Sequence, residues 1–233
     1  EGEIPANVKV IRGDIEDEEQ AARLLEGMQF DCVAEFTGFR PEQVERDIRL
    51  FSGKTKQFIY ISSAAAYHTP PARPQITEGM LLKNTYWQYA RDKIACEEVL
   101  LEAFRNNDFP VTIVRPSHTY GERMIPFCLE SPKGSWPVIR RMMEGKRIIV
   151  PGDGSSLWTI TFNEDFARGF IGLMGNTHAI GEAVHITTDE VLTWDQMAQA
   201  VADALHVEYK PYYITTDVLV ELNPELAGGL NGD

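Results

Sequence analysis

An α/β fold, built on a doubly wound parallel sheet with a smaller C-terminal lobe, is what this chain predicts, and three observations predict it. Short β-branched runs alternate with stretches of helical period from end to end. One run, Gln57–Ser63 (QFIYISS), is apolar until it closes in small polar residues, the pattern of a buried parallel strand opening into a crevice. After Gly121 the texture changes to a Pro-, Gly- and Ser-rich stretch followed by shorter elements.

The elements follow in order. Val8–Asp14 (VKVIRGD) reads as a strand stopped by a Gly-Asp turn, and Glu18–Met28 as a helix with Ala21, Ala22, Leu24 and Leu25 on one side. Asp31–Phe36 is strand-like and Glu42–Phe51 helical. Beyond Gln57–Ser63, Tyr86–Phe104 is the longest helix, with Ile94, Val99 and Leu100 on its apolar side. Val111–Pro116 (VTIVRP) is a strand cut off by proline. Pro126–Trp136 reads as a long loop, then come a helix (Pro137–Glu144), a strand (Arg147–Val150) and a turn at Gly152-Asp153-Gly154. A strand at Trp158–Phe162 leads to a helix from Glu164. A last helix runs to Leu205, with Thr193 as N-cap and Gln196 three residues on. Parallel strands joined by helices imply right-handed crossovers.

Composition narrows the function. The 233 residues carry 22 Lys and Arg against 35 Asp and Glu, a net charge of −13, which argues against a polyanion-binding surface and predicts no nucleic-acid partner. Hydrophobic residues at 43% suffice for a packed core. No run approaches eighteen apolar residues, so no membrane span is predicted. Cys32, Cys96 and Cys128, with no CxxC, read as reduced thiols in a cytoplasmic protein. His68, His118, His178, His185 and His206 make no metal-ligand spacing.

The strongest chemical constellation is Ser63, Tyr89 and Lys93. A Tyr four residues before a Lys is weak alone, and a surface Tyr beside a solvated Lys is its plain reading. Here both fall in the first turns of one helix and share a face. That helix follows a strand ending in Ser62-Ser63, and in parallel sheets the carboxyl ends of strands face the ligand crevice.

Five runs taken together, FIYISSAAAY, YARDK, VTIVRPSHTYG, GDGSSLWTITFNEDFAR and HITTDEVLTWDQMA, resemble the extended short-chain dehydrogenase/reductases of the NAD-dependent epimerase/dehydratase type, over residues 8–215. The resemblance implies a Rossmann-like cofactor domain at 1–121 with part of 155–190, and a substrate-binding lobe, mainly 122–233. It implies an NAD(P)-dependent oxidoreductase or epimerase acting on a sugar-like hydroxyl, with Tyr89 as acid/base, Lys93 lowering its pKa and holding the nicotinamide ribose, and Ser63 bonding the reacting oxygen. Physical chemistry supports those roles: a phenol titrates near pH 10, and a fixed ammonium nearby favours the phenolate.

By the same resemblance Asp14 and Ile15 cradle adenine. Phe36, Thr37 and Gly38 line the cofactor channel, with Glu35-Phe36 departing from the family's usual His-Leu. Pro116, Ser117 and His118 meet the nicotinamide carboxamide, His118 as a hydrogen-bonding spacer rather than a base. The family's opening GxxGxxG turn, which holds the pyrophosphate, has no counterpart here, and the chain reads as a fragment. The cofactor is NAD or NADP, with NAD favoured. Substrate-facing positions are Ser63, Ala64, Ala65 and Trp158. Ala64 and Ala65 replace the Asp-Glu pair of the dehydratases, and Trp158 replaces an Arg that clamps a diphosphate. The partners implied are a small-molecule substrate and a second copy, as a possible homodimer through the Tyr89 helix and its predecessor. A non-catalytic cofactor- or RNA-binding member of the same fold is the alternative.

Overall fold

The structure, a computed structural model, describes residues 4–129 and 134–232. In chain order the elements are α1 (Glu18–Leu24), β1 (Val33–Glu35), α2 (Pro41–Phe51), β2 (Phe58–Ile61), α3 (Gln88–Asn107), β3 (Val111–Pro116), β4 (His118–Tyr120), α4 (Trp136–Met143) and β5 (Ile148–Pro151). Next come β6 (Leu157–Trp158), β7 (Ile160–Phe162), α5 (Asn163–Leu173), β8 (Ala183–Ile186), β9 (Leu192–Thr193), α6 (Trp194–Leu205), β10 (Pro211–Ile214), α7 (Thr216–Leu222) and α8 (Ala227–Gly232).

The central sheet has the order β1-β2-β3-β8, and every pair in it is parallel. Side chains alternate across it. Phe58 and Tyr60 of β2 point to one face, where α2 and α3 supply Val44, Cys96 and Leu100. Ile59 and Ile61 point to the other, where α5 supplies Phe166, Phe170 and Leu173. Helices on both faces make the sheet doubly wound, as expected. They also explain why β2 and β3 are apolar along nearly their whole length: both faces are covered.

A second hydrophobic cluster lies among later elements. Phe127, Met142, Ile148, Ala198 and Ala202 gather α4, α6 and the parallel pair β5–β10. α6 opens on a capping box in which the Thr193 hydroxyl accepts the Gln196 N–H at 3.1 Å and the Gln196 carboxamide accepts the Thr193 N–H at 2.8 Å. Gly152 and Gly154 both take positive φ in the turn after β5. Among the described residues no helix is long and apolar enough to cross a membrane, and none of the three cysteines is in a disulfide.

Three expectations need correction. Val8–Asp14 is not a strand: no described strand lies beside it, and Val8, Val10 and Ile11 are 51%, 50% and 40% exposed. A β-branched run becomes a strand only when a neighbour takes its backbone hydrogen bonds. Trp158–Phe162 is two strands rather than one, because its halves pair differently: β6 runs antiparallel to β9 and β7 parallel to β4. The first helix stops at Leu24, with Gly27 in the left-handed region just beyond. Of the loop expected at Pro126–Trp136, residues 130–133 lie outside the described residues.

Candidate active site

The predicted trio is divided between the segment after β2, which carries Ser63, and the first two turns of α3, which carry Tyr89 and Lys93. Ser63, two residues past the strand, caps the short 3-10 turn Ala64–Ala66, its Oγ accepting the Ala65 N–H at 3.1 Å. Tyr89 is the second residue of α3, half-buried, with its ring 4.8 Å from Trp87 and 6.4 Å from Phe39. One turn on, Lys93 is 1% exposed, and its Nζ lies 5.9 Å from the Tyr89 ring centroid. That ammonium donates to the carbonyls of Gly38 and Ile61, each at 2.8 Å, and lies over the Phe39 and Tyr60 rings at 4.7 and 4.8 Å. Two of its three protons are therefore engaged, which leaves one for a ligand hydroxyl. Burial pulls the Lys93 pKa down to about 8, with Cys96, Glu35 and Glu97 opposing, so the group is still mainly cationic at neutral pH.

The cofactor residues are distributed unevenly. Gly38 is well placed: its carbonyl accepts from Lys93 and from the Tyr60 hydroxyl at 2.9 Å, and an added Cβ would meet Glu35, Tyr60 and Val44 at 3.3 Å. Phe36 is 52% exposed and touches Phe170 at 5.3 Å, while both the N–H and hydroxyl of Thr37 donate to Glu35. Glu35 thus folds back on its own loop and toward Asp47 of α2, whose burial pushes its pKa up to about 7 despite the adjoining Arg46. Asp14 and Ile15 are exposed on the unpaired N-terminal segment, not at a strand end. Pro116 closes β3, and Ser117 donates to Thr159 while accepting from the Thr159 hydroxyl at 2.8 Å. His118 Nε2 is buried and has no partner within the protein, and burial holds the imidazole below its usual range. Trp158 Nε1 is likewise buried and unpartnered. The methyl groups of Ala64 and Ala65 offer no proton donor or acceptor.

The structure adds residues that sequence reading passed over. Glu97, one more turn along α3, grips Arg115 of β3 through two bonds at 2.9 and 2.6 Å. Arg115 in turn donates to the Tyr67 hydroxyl at 2.9 Å and to the Glu78 carbonyl at 3.0 Å. Tyr67 reaches His185 of β8 at 2.6 Å. Burial holds the His185 imidazole below its usual range, with Glu78 opposing and Arg115 adding to the shift. The Glu78 carboxylate accepts the backbone N–H of His185 at 3.3 Å. The spacing Tyr89, Lys93, Glu97 is a run of i, i+4 steps and was the available signal.

A family profile described as "NAD dependent epimerase/dehydratase family" matches residues 48–187. The chain is 26% identical over 194 residues to the chloroplast stem-loop binding protein of 41 kDa b of Arabidopsis thaliana, covering 83% of this chain and 48% of that protein. It is 22% identical over 220 residues to 2'-dehydrokanamycin reductase of Streptomyces kanamyceticus, covering 94% of this chain and 60% of that protein. The chain thus spans about half to three-fifths of the length of these relatives. In fold it is similar to the UDP-glucuronic acid 4-epimerase from Bacillus cereus, solved with UDP-glucuronic acid and NAD, at TM-score 0.72 and 20% identity over 88% of this chain and 68% of that one.

Proposed function

The chain belongs to the NAD-dependent epimerase/dehydratase family, and on that premise we propose that the intact protein is an NAD-dependent oxidoreductase or epimerase acting on a sugar-like hydroxyl. NAD would supply the hydride acceptor. Tyr89 takes the hydroxyl proton, Lys93 favours its phenolate and offers its remaining N–H to a ribose hydroxyl, and Ser63 hydrogen-bonds the oxygen as it becomes a carbonyl. Gly38, Phe36, Thr37, Pro116 and Ser117 border the nicotinamide end, with Asp14 and Ile15 toward adenine. In this division residues 1–121 with part of 155–190 form the cofactor domain, and 122–233 mainly the substrate lobe. Elimination of water is not assigned, since Ala64 and Ala65 cannot transfer protons.

One observation carries the reading: a buried ammonium tied to the end of β2 through the Ile61 carbonyl and lying 5.9 Å from the Tyr89 ring. A lysine buried at this depth costs stability, and perturbed groups of this kind cluster at functional sites. The test is Tyr89→Phe in the intact protein, with hydride transfer followed at 340 nm on a panel of sugars. Loss of activity by about 10²-fold or more, with fold and cofactor affinity retained, is expected; retained turnover refutes the role of Tyr89.

A second reading, an RNA-binding protein on this fold, is favoured by the likeness to the stem-loop binding protein. The charge of −13 opposes it. Filter binding of stem-loop RNA at low salt separates the two.

A further inference from the structure

Two of the buried polar atoms that lack a partner, His118 Nε2 and Trp158 Nε1, fall in one aromatic cluster. The Trp194 ring, at the start of α6, stands edge-on to His118 at 6.4 Å and stacks on Trp158 at 6.1 Å with 25° between planes. The backbone explains the grouping. β4 and β7 pair with His118 opposite Ile160 and Tyr120 opposite Phe162, and the Ser117–Thr159 bonds carry that pairing back toward Trp158. Period-two alternation then sets His118 and Tyr120 on one face, with Trp158 and Phe162 beside them. The Tyr120 and Phe162 rings meet at 5.5 Å. All five rings are half-buried rather than sealed. At the Tyr120–Phe162 end the row opens on a cleft of about 420 Å³, whose charged lining is Glu122, Glu164 and Arg123.

We propose that this aromatic row recognises the substrate, and that it takes a sugar or glycoside bearing no phosphate. The proposal rests on the hydride site assigned above, because His118 lies just past the carboxyl end of β3, on the edge that carries Ser63. A buried N–H or ring nitrogen is costly to leave unpaired, and two such atoms in one cluster mark where a ligand supplies the missing bonds. An indole can only donate, and a neutral imidazole donates or accepts. Ligand hydroxyls, which do both, satisfy that pair. A diphosphate only accepts and calls for cations. Here it would meet two carboxylates against one guanidinium, on a chain of net charge −13. The apolar faces of a pyranose match the aromatic rings of Tyr120 and Phe162, which line the cleft.

The experiment is a tryptophan-fluorescence titration of the 233-residue chain with maltotriose, kanamycin and UDP-glucose. A saturable change with one or both unphosphorylated glycosides, and none with UDP-glucose at equal concentration, is expected. Tighter binding of UDP-glucose, or no saturable change with either glycoside, overturns the proposal. Trp158→Phe removes the N–H together with the five-membered part of the indole, so affinity should fall by at least the about two- to tenfold of one hydrogen bond. Unchanged affinity in Trp158→Phe would overturn the proposal, because the N–H it removes would then meet no ligand. If the intact Tyr89→Phe protein still turns over while Trp158→Phe still weakens binding, the hydride assignment fails and the recognition surface stands.

Discussion

Lys93→Met should change not only the stability of the protein but the way that stability depends on pH. Lys93 titrates at about 8 in the folded chain, chiefly through burial, against an ordinary 10.5. Between those values the unfolded chain holds a proton that the folded chain has released, so stability rises with pH across that window. The gap corresponds to about 3 kcal/mol, at about 1.4 kcal/mol for each tenfold change in proton activity. Exposure of 1% leaves little solvent screening to reduce it. Other groups pull the opposite way: burial raises Cys32, Cys96, Tyr60 and Tyr67, which costs stability in alkali. Wild type and variant share those groups, so their difference isolates Lys93. Cys96 feels the Lys93 charge, and both proteins are therefore built on Cys96→Ala. In urea titrations at steps from pH 7 to pH 10.5, the parent should gain about 3 kcal/mol on Lys93→Met. A difference that stays flat to within about 0.5 kcal/mol would show that Lys93 is not desolvated in the folded state, and the reasoning on its role would go with it.

Other outcomes follow from the same contacts. Glu97→Gln leaves the Arg115 cation buried without its carboxylate and should cost about 3–5 kcal/mol in urea unfolding, whereas Glu97→Leu with Arg115→Met should recover most of that loss. His185 is held below its ordinary 6.5, chiefly by burial, with Glu78 opposing and Arg115 adding a smaller push. The unfolded chain therefore takes up the proton first, and melting temperature should fall as pH drops through about 6.5, with a shallower fall in His185→Gln. Gly154→Ala should cost more than about 2 kcal/mol by calorimetry. It forces a side chain into φ +73° and drives its Cβ into the Asp195 carboxylate, which also receives the Tyr209 and Tyr213 hydroxyls at 2.7 Å.

Much of the fold was legible because buried parallel strands leave continuous apolar runs. Val111–Pro116 coincides with β3, and the Thr193–Gln196 box marks the start of α6. What failed were segments whose identity depends on a partner. Val8–Asp14 has the residues of a strand without a neighbour, and Trp158–Phe162 divides where its two halves find different neighbours. The trio Ser63, Tyr89 and Lys93 was readable from spacing and order. The tether of Lys93 to Gly38 and Ile61 was not, because backbone carbonyls carry no side-chain signature. The unpartnered nitrogens of His118 and Trp158 were equally hidden, since a missing partner is a property of packing.

One face of α3 accounts for how the site is held. Tyr89, Lys93 and Glu97 follow at four-residue steps, so each is one turn below the last. The uppermost carries the hydroxyl, the second bonds the end of β2 and the loop after β1, and the third clamps β3 through Arg115. Arg115 then secures Tyr67, and Tyr67 secures β8 through His185. The helix that carries Tyr89, the proposed acid/base, is thus linked by polar bonds, directly or through Arg115, to all four strands of the sheet or to the loops that leave them. Since such buried bonds are costly to break singly, a shift of Tyr89 relative to Ser63 would have to disrupt several at once. Rigidity of that kind is what a proton transfer within hydrogen-bond reach requires.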